Sequence, residues 1–185
     1  MLGLAEGLRQ RAEFKAKATS APLATVARAG PGDSPAAMEA FFRQAAKLAA
    51  DEMAPVTLRS SAIALLGYTD YSRGVQGLGP LLDARQPPEL QLQVVRALDR
   101  AGDPRGAELL VQTQYWSRYT PQIREAVIAA LVSKPPMTRV LLDAIKRGDI
   151  KVPEISSVRR TQLLKHANAT LRQEATGLFQ SLEGG

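Results

Sequence analysis

Met38, Phe41, Phe42, Ala45, Leu48 and Ala49 recur at spacings of three and four. That spacing predicts a helix from about Pro35 to Met53 with one buried stripe. Ser34 just before Pro35 reads as an N-cap followed by proline at the first helical position. Upstream, Leu4, Leu8, Ala12 and Ala16 give a weaker apolar face and predict an N-terminal helix over residues 1–18. Residues 19–35 collect Ala, Pro, Gly and Ser around the breaker Gly30-Pro31-Gly32 and read as a linker or loop.

The pattern then repeats. Leu58, Leu90 and Ile123 are equivalent positions, set apart by a nearly constant period in the low thirties. Each is followed by a polar residue at +1, apolar residues at +4 and +5, and leucine at +8. A further copy begins at Leu171, after a longer interval, with Arg172, Ala175 and Phe179 in register. Each of the first three copies leads through a short turn to a second apolar stretch. These stretches carry Leu78, Leu81 and Leu82; Ala107, Leu109 and Leu110; and Val140, Leu141, Leu142 and Ile145. A helix–turn–helix period in the thirties predicts an all-α α-solenoid of HEAT-like helical hairpins, in which neighbours bury what one pair cannot. The expected repeat domain spans 36–185, with repeats near 36–82, 87–115, 120–147 and 156–183. Pro55, Pro87 and Pro121 fall at or before the first turn of each first helix, where the missing N–H has no helical partner. The +1 residues Arg59, Gln91, Arg124 and Arg172 are long donors, expected to reach loop carbonyls of their own or the next repeat.

Composition narrows the chemistry. The 29 Ala and 24 Leu outweigh 11 Val and 6 Ile, which favours helix over sheet. With no Cys, thiol nucleophiles, disulfides, Cys-bound zinc, iron–sulfur clusters and covalent haem attachment are excluded. His166 is the single histidine, so paired-His metal sites within the chain are excluded too. No catalytic, cofactor-binding or metal-binding residue is expected. The apolar runs fall far short of the roughly 20 residues of a membrane span, and residues 1–17 lack the apolar core of a secretory signal. The net charge is +6, but the positives are scattered and no three Lys or Arg are consecutive, which argues against a dedicated nucleic-acid surface.

A few residues merit a functional reading beside a structural one. His166 with Ser156, Ser157 or Asp149 could serve as a base, but no nucleophile elbow is present, and a loop histidine donating to a backbone carbonyl is the preferred reading. Tyr115, Trp116 and Tyr119, with Arg118, form the one aromatic cluster. They could stack on a base or sugar; the preferred reading has Trp116 closing one repeat and packing under the next. Asp70, Asp83, Asp99, Asp103, Asp143 and Asp149 read mostly as turn residues. Arg159 and Arg160, with Lys165 and Arg172, form the densest positive region. It reads as a solvated face or as a contact for an acidic partner. Tyr115, Trp116, Arg118, Tyr119, Arg159 and Arg160 are thus the candidate interaction surface. Gly74, Gly77 and Gly79 lack the lysine of a phosphate loop.

The stretch LRSSAIALLGYTDYSRGVQGLGPLLDARQPPELQLQVVRALDRAGDPRGAELLV resembles HEAT repeats. It is similar, more specifically, to the HEAT segment of large, mainly planctomycete proteins of the membrane-bound dehydrogenase type. Further matches are Gly3-Leu4-Ala5-Glu6-Gly7-Leu8, Leu141-Leu142-Asp143-Ala144-Ile145, and Leu163-Leu164-Lys165-His166 with Leu171-Arg172. Such chains join a sugar-dehydrogenase-like β-propeller, a HEAT segment and a c-type cytochrome domain with CxxCH. No CxxCH is present here, so none of the family's haem or catalytic residues carries over. The resemblance implies a periplasmic or otherwise exported parent, in which this segment is a non-catalytic spacer or docking surface for the propeller and cytochrome c domains or another protein. The alternative is a nucleic-acid-binding HEAT protein resembling alkylated-base DNA glycosylases.

Overall fold

The structure, a computed structural model, describes residues 35–183. The expected helix over 1–18, Ser34 and nearly all of the 19–35 linker lie outside the described residues. Helix α1 spans Pro35–Ala50 and α2 spans Val56–Leu66. A π-helical turn, Tyr71–Val75, runs into a 3-10 segment, Gln76–Leu82. Then come α3 (Pro88–Ala101), α4 (Pro104–Leu110) and the single turn α5 (Thr113–Trp116). Helices α6 (Pro121–Leu131) and α7 (Pro135–Arg147) follow. A 3-10 turn, Val152–Glu154, precedes α8 (Ser157–Leu164) and α9 (Ala169–Glu183). Among the described residues there is no strand.

Local chemistry explains the boundaries. Proline opens α3, α4, α6 and α7 at the first turn. Asp103 caps α4 by accepting from Arg105 N at 2.9 Å, and Thr120 caps α6 by accepting from Ile123 N at 3.3 Å. Gly102 (φ 67°) ends α3 and Gly148 (φ 78°) ends α7 in the left-handed conformation that glycine reaches without a Cβ penalty.

Each helix packs against its neighbours. α1 lies on α2, α2 on α3, and α3 on α6. The 76–82 segment meets α3 and α4, α4 meets α7, α7 meets α9, and α9 meets α8. One continuous apolar cluster runs from Ala45 to Phe179. Many polar ties join residues about one sequence period apart. Gln86 donates to Glu52 across 34 residues, Arg105 to Ser72 across 33, Arg100 to Ala64 across 36, Ser133 to Asp99 across 34 and Arg159 to Glu125 across 34.

Two expectations are corrected. The stretch with Leu78, Leu81 and Leu82 is not an α-helix. Pro80 lacks an N–H, and Gly77 and Gly79 weaken helical propensity. The segment tightens to 3-10 geometry, which still buries the three leucines at its three-residue pitch. The copy at Leu171 does not extend the α2–α3–α6 line either: α9 packs on α7 and α8, and the Arg159–Glu125 ion pair ties α8 to α6. Helix α8 buries only Leu163, so it leaves little apolar signal in the sequence.

Helices α2 and α3 approach closely at Gly67, where α2 ends. A Cβ there would come within 2.8 Å of Ala97 Cα on α3, a backbone atom that cannot rotate away. Gly67→Ala is expected to lower stability by about 1–3 kcal/mol, the range for overpacking a closed contact. Urea unfolding checks this; an unchanged midpoint would show that the α2–α3 contact opens freely.

Candidate interaction surface

The aromatic cluster forms where α5 ends. Trp116 and Tyr119 are 3% and 5% exposed, with rings meeting edge to face at 6.2 Å, while Tyr115 is half-buried. The Arg124 guanidinium lies 5.3 Å from the Trp116 ring centroid. It also donates to Glu154 Oε1 at 2.7 Å, and Trp116 Nε1 donates to Glu154 Oε2 at 3.4 Å. Glu154 ends the 3-10 turn before α8, so Trp116 is tied to a segment two helices further along the chain. Burial, with a smaller contribution from Tyr115, pushes the Tyr119 phenol above its usual range. Of the two readings of the cluster, burial disfavours the stacking one: Trp116 and Tyr119 offer no open ring face. Only Arg118 of the cluster is exposed.

Arg159 and Arg160 are half-buried on α8 rather than fully solvated. Arg159 Nε pairs with Glu125 Oε1 at 2.7 Å and Arg159 Nη1 donates to Gln162 at 2.8 Å, so Arg159 fastens α8 to α6. His166 lies in the turn between α8 and α9. Its Nδ1 accepts from Asn168 N at 3.1 Å instead of donating to a carbonyl, and its own carbonyl accepts from Arg172 Nη1 at 2.7 Å. Asp83 and Asp103 accept backbone N–H groups in turns. Hydrogen bonds from Arg85 and Arg105 hold their carboxyls below the usual range. Asp99 and Asp143 lie within α3 and α7.

The four +1 residues share one geometry. Arg59 Nε donates to Ala49 O at 3.0 Å and Gln91 Nε2 to Asp83 O at 2.8 Å. Arg124 Nη2 donates to Ser117 O at 3.4 Å and Arg172 Nη1 to His166 O. Each long side chain reaches back to the chain that precedes its own helix and fixes how that helix is entered.

A concavity of about 420 Å³ opens where α4 and α5 meet the end of α7. Glu108, Gln112, Thr113, Gln114, Arg147 and Asp149 line it, and Arg147 and Asp149 are paired at 2.7 Å. Sequence reading missed it because its walls come from segments distant in the chain that carry no motif. Among the described residues no group of His, Cys, Asp and Glu could hold a metal ion, and no helix is long and apolar enough to cross a membrane. No family model, curated protein or solved structure matches the chain.

Proposed function

We propose that the chain is a HEAT-like α-solenoid acting as a non-catalytic protein-interaction module. One observation supports this reading: five polar ties between successive segments fall at separations of 33 to 36 residues, the spacing expected if helix pairs stack in register. Stacking of that kind produces an extended surface suited to holding other proteins. By the sequence resemblance, the segment sits in a larger exported chain between a dehydrogenase-like propeller and a cytochrome c domain, and positions one against the other.

The stacking itself is testable by chemistry, because the chain has no native cysteine. Asp99→Cys with Ser133→Cys is expected to give one efficient intramolecular product with a short bifunctional thiol reagent. Absence of that product would remove the stacked-pair reading. For the docking role, the immobilised chain is expected to bind the isolated propeller or cytochrome c domain of such a parent at micromolar concentration. No response to either at high micromolar concentration would eliminate that role.

A further inference from the structure

The loops that lead into successive helix pairs carry cations in one register. Arg85, Arg118 and Lys151 are evenly spaced, one sequence period from each to the next. Arg85 lies between the 76–82 segment and α3, Arg118 between α5 and α6, and Lys151 between α7 and α8. All three are exposed, the Arg85 side chain to 89%. The loops adjoin. Helices α3 and α6, which the first two loops enter, pack against each other, and Arg124 joins Ser117 O to Glu154. The nearby carboxylates are engaged: Asp83 takes Arg85, and Glu154 takes Arg124, Trp116 and the Lys151 backbone N–H. Among the described residues, the Arg118 and Lys151 side chains form no salt bridge. The register stops at Glu52, the residue one period before Arg85.

We propose that Arg85, Arg118 and Lys151 form a docking strip for an extended acidic segment of a protein partner, with a carboxylate at every third residue. The inference rests on the stacked-pair reading above. Helices α3 and α6 pack side by side, at a typical spacing of about 9 Å that sets the step from Arg85 to Arg118, and the Arg159–Glu125 pair carries the line on to α8. A polyproline II segment repeats every three residues, a rise of about 9.3 Å, and presents positions i, i+3 and i+6 on one face. A β-strand cannot match this step, since positions three apart point to opposite faces. Nucleic acid fits less well. Its charges come about every 3.4 Å along each strand, and Trp116 and Tyr119, with Tyr115 the aromatics nearest Arg118 in the chain, are buried rather than open to stacking.

Three labelled probes test the strip by fluorescence anisotropy at low ionic strength. They are a peptide of three Glu-Pro-Pro units, a peptide of the same composition with its three Glu adjacent, and a single-stranded DNA oligonucleotide. The spaced peptide is expected to bind the full chain most tightly, and to be released by salt. Arg118→Glu with Lys151→Glu is expected to weaken it about ten-fold or more, since surface charges contribute modestly one by one and both are reversed. Lys47→Glu with Arg96→Glu, exposed cations off the strip, makes the same change in net charge and is expected to leave binding within about two-fold. Equal binding of the two peptides, tighter binding of DNA, equal loss in the two double variants, or no binding at all would each overturn the strip. Intact crosslinking between thiols introduced at positions 99 and 133, alongside such a result, confines the failure to the strip; loss of crosslinking removes the stacked reading and the strip with it.

Discussion

Arg59→Ala is expected to lower stability by about 2–4 kcal/mol, measured by urea unfolding at neutral pH. Arg59 is 4% exposed, yet it forms no salt bridge with a described carboxylate. Its charge is held by dipoles instead. Ala49 O, which accepts from Nε, is one of the last carbonyls of α1, at the negative end of that helix. Gln86 Oε1 accepts from Nη2 at 2.9 Å and extends the tie to the loop before α3. Truncation strands both acceptors where water reaches poorly, and leaves a void where the stem passed. Burying an uncompensated guanidinium is itself costly, so the opposite sign has a physical basis. Arg59→Met decides between them, because it keeps most of the volume and removes every donor. If the dipoles outweigh desolvation, the methionine variant retains more than half of the alanine loss; a methionine variant as stable as wild type would mean that the buried charge contributes nothing net.

The same residue shows how far sequence reasoning reaches. The polar position after each apolar anchor is legible as a loop clamp, because a long donor recurring at a fixed place beside a turn has few other uses. The apolar stripes of α3, α6 and α7 are legible for a similar reason: burial on one face leaves a periodic trace. Neither trace reports exposure. Trp116 and Tyr119 could be read as a binding face or as packing, and both are buried; the sequence could not decide, because Arg124 and Glu154, which meet Trp116, arrive from later in the chain. The 71–82 segment reads as helix from its leucines, although the glycines and Pro80 determine its pitch. Two further signals gain meaning only once the neighbouring helices are in place. Opposite charges about one period apart, Glu125 with Arg159 and Arg139 with Glu174, mark the ties between those helices. Like charges one period apart, at 85, 118 and 151, mark the strip.

Glu174→Gln is expected to destabilise the chain at pH 7 by about 1–3 kcal/mol, and by progressively less as the pH falls toward 3. Glu174 sits on α9 between the buried Leu171 and Ala175, and its side chain is 14% exposed. Arg139 and Lys146, both on α7, pair with its two carboxylate oxygens. Burial alone raises the carboxyl's pKa, but the hydrogen bonds from Lys146 and Arg139, and their charges, outweigh it, so the net direction is down. A depressed folded-state pKa means that the unfolded chain binds the proton more readily. The stabilisation is therefore complete above the unfolded value of about 4.3, and is lost as the pH drops through that value and then through the lower folded one. Below that window two cations on α7 face a neutral group, and the clamp on α9 is gone. Other carboxylates titrate over the same range, among them Asp83 and Asp103, so the informative quantity is the difference between wild type and variant at each pH. A difference that stays constant from pH 7 to 3 would assign the loss to the amide's shape rather than to charge. The contact between α7 and α9 would then owe more to the apolar face of α9, where Leu171, Ala175 and Phe179 are buried.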